Sequence, residues 1–403
     1  MSDSLSREEL IRRIHAAPGQ LVLAITGGGS RAISDLLAVP GGSRTVLEAV
    51  VPYSAAALQE FLHARPEQFC SAPAARMMAM AAFQRVTHLQ KIAADSANRE
   101  AGIQSTNDSS LDVPPIGIGC TASLASDRPK RGAHRIYVAS QTVDATTTYS
   151  LELLKGRRNR LEEEAIAAQI ILNAVVEAFG IEQWLPLPLA DEEKVESTRT
   201  AVPPEWQDLL MGRVQLVCAK TSAVIPKPAK TRRAIFPGAF NPLHEGHLRM
   251  AEIASRRLSV PVEFELSIEN VEKPLLDYTE IAQRVAQFSE KHLPLWLTRT
   301  PTFEQKSALF PGAVFIVGAD TIVRIGQPRY YGNDPVAANA AIEQIGKRGC
   351  RFLVFGRLVG NEFQSCAGLP LPDSLRKLCD EVPAIDFRHD VSSTELRKLT
   401  TSD

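Results

Sequence analysis

An apolar run, Ala234 to Phe236, breaks at Pro237-Gly238 and turns again at Asn241-Pro242. Leu243, Leu248, Met250-Ala251, Ile253-Ala254 and Leu258 then recur at helical spacing. The stretch from Arg232 to His247 therefore reads as strand, tight loop and helix. Two of the eight histidines, His244 and His247, fall where loop becomes helix, three apart and so on one face. A helix N-terminus offers unbonded N–H groups and the positive end of a dipole to an anion. Two imidazoles added there make a site for phosphate.

The chain beyond this stretch alternates. Strands are expected at 262–268, 295–298, 312–320, 352–355 and 385–387, with helices at 279–290 and 334–345 between them. Such alternation argues for a parallel sheet covered by helices on both faces, and ligands on such sheets bind beyond the carboxyl ends of the strands. His244, Asp320 and Ser392 each follow a strand end, so they can converge. Asp320 sits in Val317-Gly318-Ala319-Asp320, where it would also serve as a plain helix cap. Val391-Ser-Ser-Thr-Glu-Leu-Arg397 fits a capping box from Ser392 to Glu395. It also brings Ser393, Thr394 and Arg397 to a second helix start, as a triphosphate requires.

At 403 residues the chain is too long for one ordinary core. The first half opens with a helix over 4–16 and a buried strand over 21–26, which runs into Gly27-Gly28-Gly29-Ser30. Glycines at a strand–helix junction either admit a ligand or make a tight turn. Thr26, Gly27, Gly28 and Ser30 are the candidate pocket of this half. A strand over 45–51, a long helix over 72–94, a polar loop over 95–112, three further strands and a helix over 161–179 follow. The basic run Lys155–Arg160 beside Glu162-Glu163-Glu164 reads as a solvated face. Prolines at 186, 188, 203, 204, 226 and 228 mark a linker region. The division expected is 1–180, linker 181–230, and 231–403.

Charge and composition exclude several classes. A net charge of −1 argues against general binding to nucleic acid or a membrane surface. No apolar run is long enough to cross a bilayer, and the N-terminus lacks the order of a signal peptide. Six scattered cysteines without a C-x-x-C pair suit reduced thiols and a cytoplasmic setting. The i,i+4 histidine pair of a zinc helix is absent, so no protein-held metal is expected.

Gly238-Ala-Phe-Asn-Pro-Leu-His-Glu-Gly-His247, Gly318-Ala-Asp320 and Val391-Ser-Ser-Thr-Glu-Leu-Arg397, in this order, resemble the H-x-G-H nucleotidyltransferases, and more narrowly the nicotinate/nicotinamide-mononucleotide adenylyltransferases. The resemblance spans Arg232 to Lys398 and implies a Rossmann-like parallel-sheet domain. It implies His244, His247 and Arg397 as catalytic phosphate ligands, with Gly238, Phe240, Asn241, Gly318, Asp320, Ser393 and Thr394 contacting ATP or substrate. ATP is then a substrate, and Mg²⁺ is held mainly by its phosphates. The family's tryptophan after Gly-x-Asp is missing, and Tyr330 or Trp296 is left to stack on the acceptor ring.

The first half resembles the CinA C-terminal domain, a family that includes nicotinamide-nucleotide amidases. Ile25-Thr-Gly-Gly28, Asp35–Ser43, Val50-Val-Pro-Tyr-Ser54 and Ile116–Thr121 carry that likeness. Ala24 stands where the family's serine belongs, so an α/β CinA-like domain with altered amidase chemistry is expected. Ser30 and Ser34 are the substitutes on hand. Such domains self-associate, which makes a homo-oligomer an expectation by analogy.

Three functions stay open at this level. The first is transfer of AMP from ATP to a phosphorylated small molecule, foremost nicotinamide or nicotinate mononucleotide, in NAD biosynthesis. The second is a bifunctional amidase and adenylyltransferase. The third is a non-catalytic nucleotide-binding scaffold. The partners expected are small nucleotides, with no nucleic acid and no membrane.

Overall fold

The computed structural model describes residues 6–100, 113–127, 131–219, 233–271, 273–359 and 362–387. The chain divides into two units, Met1–Gln207 with Glu272–Thr279, and Asp208–Val271 with Glu280–Asp403. Both are mixed α/β.

The first unit begins with α1 (Arg7–Ala16), capped by Ser6, then β1 (Gln20–Thr26), α2 (Arg31–Ala38), α3 (Gly42–Thr45), β2 (Val46–Val50) and α4 (Ala55–Leu62). It continues through α5 (Ala72–Glu100), β3 (Pro115–Ser123), β4 (His134–Gln141), β5 (Ala145–Leu153), α6 (Arg160–Ala178) and β6 (Glu196–Ala201). The sheet runs β2-β1-β3-β4-β5-β6, parallel around β1 and antiparallel from β3 onward. α5 is longer than its apolar pattern suggests: residues 95–100, expected as loop, complete its last turns. The remainder of that loop, 101–112, lies outside the described residues.

The expected linker is largely structural. Leu185 is buried, its backbone clasped by both ends of the Asn173 amide at 2.8 and 2.9 Å, and Leu187 and Leu189 pack on the same core. Residues 196–201 then add β6 to the sheet edge. Glu193 ties this segment down. Its carboxylate accepts two bonds from Arg158, both at 2.7 Å, and the N–H groups of Leu154 and Ala190. The basic run around Arg158 is thus partly consumed inside the unit rather than presented to solvent.

The second unit takes α7 (Pro204–Leu210), which spans the division, then β7 (Leu216–Ala219), β8 (Ala234–Pro237), α8 (Glu245–Leu258), β9 (Val262–Ser267), α9 (Tyr278–Glu290) and β10 (Leu295–Thr298). α10 (Phe303–Leu309), β11 (Val314–Gly318), α11 (Ala319–Ile325), α12 (Pro335–Lys347) and β12 (Arg351–Phe355) follow. β13 (Arg357–Val359) and β14 (Glu362–Gln364) form a separate two-stranded ribbon, before α13 (Asp373–Arg376) and β15 (Cys379–Val382). The edge strand expected at 385–387 is instead β15 at 379–382, paired with β12; residues 384–386 are turn.

The second sheet is ordered β15-β12-β11-β8-β9-β10-β7, parallel except for β7, which runs antiparallel to β10. From β8 the chain builds outward through β9 and β10, then returns to the other side of β8 to lay down β11, β12 and β15. This is the doubly wound order, whose switch point falls between β8 and β11. Those two strands pair only at Ala234–Val314 and Ile235–Phe315, then run on to Pro237 and Gly318 without further pairing. A crevice therefore opens at their carboxyl ends.

Glu193→Ala removes an acceptor buried to 1% side-chain exposure and strands Arg158. We expect it to cost on the order of 3–5 kcal/mol. Arg158 holds the Glu193 carboxyl at about 2, below the ordinary 4.5, so its contribution is present above 4.5 and fades as pH falls toward 2. Urea unfolding of both proteins at pH 7 and 3 tests this: the gap must narrow in acid.

Candidate active site

The crevice between β8 and β11 is lined on one side by the Gly238–His247 loop. Phe240 sets its shape. It adopts a left-handed conformation, φ 45°, which a bulky side chain takes only under constraint. The constraint is burial: Phe240 is 1% exposed, with Phe236, Phe264 and Phe288 rings 5.1–5.6 Å from it. Its ring folds back beneath the turn, so a Cβ at Gly238 would lie 2.5 Å from it. The Gly238 N–H donates to the Glu265 carbonyl at 3.0 Å, extending the strand ladder. The Phe240 ring and the missing Gly238 side chain thus shape the loop, whose backbone runs along the crevice. Asn241 is exposed at its outer side, ahead of a cis peptide to Pro242.

The two histidines meet at the start of α8. His244 is the N-cap and His247 the third helical residue, and the His247 side chain reaches back to the His244 backbone N–H. The rings stack, with centroids 3.7 Å apart and planes 24° from parallel. His247 Nδ1 accepts the His244 backbone N–H at 3.3 Å, so the proton of the neutral ring sits on Nε2. Burial, and then the neighbouring His244, push the His247 imidazole down to about 3. With only the residues of this loop around it, His247 is therefore a neutral hydrogen-bond donor at pH 7. The Phe240 ring meets it edge-on at 5.1 Å.

On the other side, Gly318 ends β11 and caps α11, and Asp320 is exposed in that helix's first turn. Asp320 is therefore not the cap of α11. It borders a cavity of about 350 Å³, lined also by Arg324, Gln327, Arg329, Gln364 and Leu369. Gln327 Oε1 is buried there with no hydrogen-bond partner among the described residues. Tyr330 has the Arg329 guanidinium over its ring at 4.6 Å. Trp296 is held in the sheet, donating to Glu263 at 2.8 Å, so it is engaged elsewhere. Ser393, Thr394 and Arg397 lie outside the described residues.

In the first unit the glycine loop is filled from within. Ser30 Oγ and the Arg31 N–H both donate to Glu164, at 3.2 and 3.3 Å, so the start of α2 already holds a carboxylate. Arg160 donates to the Gly27 carbonyl at 2.9 Å. Gly27 has φ +77°, and a Cβ there would lie 1.9 Å from the Ala122 carbonyl oxygen, which is the tight-turn reason for a glycine. Thr26 is buried at the end of β1. Ala24 is fully buried in an apolar cluster with Leu58, Leu62 and Met78.

One supporting residue carried no signal in the sequence. Gln287 of α9 accepts the Leu243 N–H at 2.7 Å, one residue before the N-cap histidine. A lone glutamine on an amphipathic helix is indistinguishable from a solvated one without the tertiary contact.

Residues 235–399 match the cytidylyltransferase-like family, and with the doubly wound sheet the second half is a nucleotidyltransferase-like domain. The first half is similar to CinA-type competence/damage-inducible proteins. The solved structures include the protein CihA of Agrobacterium tumefaciens, 18% identical over 44% of this chain and 99% of that one, with a TM-score of 0.31. A CinA superfamily protein of Escherichia coli is 15% identical over 44% of this chain and 92% of that one, with a TM-score of 0.32. No curated protein matches the chain. Among the described residues no helix is long and apolar enough to cross a membrane.

The neutral state of His247 has a cost in acid. The ring titrates near 6.5 in the unfolded chain and near 3 in the fold, so protons favour unfolding. The penalty is absent above 6.5 and grows by about 1.4 kcal/mol per pH unit below it. Between pH 7 and 4.5, His247→Gln should gain about 2–3 kcal/mol on the wild type, read by urea unfolding of both at each pH.

Proposed function

We propose that the second unit transfers the AMP moiety of ATP to a phosphorylated small molecule, foremost nicotinamide or nicotinate mononucleotide. The stacked His244–His247 pair on the N-terminus of α8, at the switch point of the sheet, carries this reading. A phosphate oxygen of the acceptor attacks the α-phosphorus of the triphosphate in line. The new P–O bond forms as the bond to the β-phosphate oxygen breaks, and pyrophosphate leaves with that electron pair. No covalent enzyme intermediate is required, so catalysis rests on positioning and on donors aimed at the developing charge.

His247 suits that task. Its Nε2–H is fixed by the bond that Nδ1 accepts, and it needs no protonation change during the transfer. The α8 amides and dipole add to it at the same point. Mg²⁺ arrives with the triphosphate and neutralises its charge. Among the described residues no cluster of three His, Cys, Asp or Glu forms a protein cage for a metal. The cavity beside Asp320 is the place for the acceptor's head group, with Arg324 and Arg329 for its acidic part and Gln327 Oε1 for a donor. The amidase reading of the first unit finds no support in the apolar surroundings of Ala24.

Purified protein with Mg²⁺, ATP or CTP, and each of the two mononucleotides, phosphopantetheine or glycerol phosphate should release pyrophosphate with one acceptor and no ammonia. His247→Ala should lower kcat on the order of 10²–10³-fold, the loss typical of one preorganised donor. Nucleotide binding without pyrophosphate from any pair would leave a scaffold and refute the transfer; ammonia from nicotinamide mononucleotide would restore the amidase.

A further inference from the structure

We infer that Gln287 is a positioning residue for the histidine pair, acting through the loop that presents it; this rests on the transferase reading above. Loop 238–244 has two points at which its backbone is gripped by α9, and both grips are the same side chain. Gln287 Oε1 accepts the Leu243 N–H at 2.7 Å. Its Nε2 reaches the Phe240 carbonyl at 3.5 Å and shares that donor with the Gln283 carbonyl at 3.4 Å. The amide thus spans the segment between the left-handed Phe240 and the residue before His244. The next residue on the helix, Phe288, seats its ring 5.1 Å from Phe240 and 5.1 Å from Phe264. α9 therefore holds the loop by a polar clamp on its backbone and an apolar floor beneath its one buried ring.

The consequence falls on His244. The Leu243 N–H lies one peptide ahead of the N-cap, so the bond to Gln287 fixes the plane from which His244 enters α8. His244 in turn supplies the N–H that sets the tautomer of His247 and the ring on which His247 stacks. A drift of this loop of even an ångström takes Nε2–H off its line, and misplacements of that size are costly in catalysis. The strong bond of the clamp is the one Gln287 accepts; the one it donates is long and shared.

The test compares Gln287→Leu, which removes both bonds, with Gln287→Glu, which keeps the acceptor toward Leu243. Three quantities are read at pH 7: pyrophosphate release, the melting temperature, and the ¹⁵N ring signals of His247. For Gln287→Leu we expect kcat down at least tenfold with the KM for triphosphate within threefold, as when a transition-state contact is lost. Its His247 ring signals should move from a fixed Nε2–H pattern toward averaging of the two tautomers, at a melting temperature within a few degrees of wild type. Gln287→Glu should recover most of both. A wild-type kcat or an unmoved ring pattern in Gln287→Leu overturns the inference, as do losses that follow melting temperature alone in both variants. If the wild type releases no pyrophosphate with any acceptor, the transferase reading falls, and the ring signals still decide whether Gln287 positions His247.

Discussion

The burial of Phe240 is the constraint on which the active-site loop depends. Its left-handed backbone is unfavourable for an aromatic residue, and is held by rings of Phe236, Phe264 and Phe288 that close on it from β8, β9 and α9. Everything nearby follows from where that ring goes. Residue 238 must lack a side chain because the ring occupies its space. His247 is desolvated from one side because the ring meets it edge-on. The loop is turned so that its Leu243 N–H faces α9 and finds Gln287. A hydrophobic contact thereby helps to hold the His247 ring neutral.

Much of this frame is legible in the sequence. The break at Pro237-Gly238 and the helical spacing from Leu243 place a strand, a loop and a helix where they occur, and alternation marks the doubly wound sheet. The failures share a cause: each depends on a contact distant in the chain. β6 and β7 are short edge strands within a proline-punctuated stretch, and only pairing with β5 and β10 makes them strands. The strap around Leu185 reads as linker because its anchor, Asn173, lies on another element. That three distant phenylalanines enclose the Phe240 ring is likewise invisible in the local sequence.

Two strand–glycine–helix junctions in one chain show why such a pattern alone does not make a site. At Gly27–Ser30 the helix start is met by Glu164, whose carboxylate takes the Ser30 hydroxyl and the Arg31 amide, and Arg160 closes on the Gly27 carbonyl. The anion that this helix attracts is built into the fold. At Gly238–His247 the His244 backbone N–H is taken by His247 Nδ1, which directs the Nε2–H of His247 away from the cap. The first junction stabilises its own unit; the second retains a donor for something else. The difference lies in the capping side chains and not in the glycines.

That donor is neutral, and this shapes how the proposed transfer must be balanced. A triphosphate brings several negative charges, and a His247 held near 3 before the triphosphate arrives offers none of the opposite sign. A neutral imidazole still stabilises charge that appears on the α-phosphate oxygens as the bond to pyrophosphate breaks, because its dipole is already oriented and pays no reorganisation. It does so without binding the ground-state triphosphate as tightly as a cation would, so more of its effect falls on the rate than on affinity. In this reading bulk neutralisation would belong to Mg²⁺ carried by the nucleotide and to arginines. Arg324 and Arg329 stand beside the cavity next to Asp320, on the acceptor's side of the crevice in this reading. In this reading a neutral donor at the reacting phosphorus and guanidinium charge around it divide the stabilisation of the transfer between them.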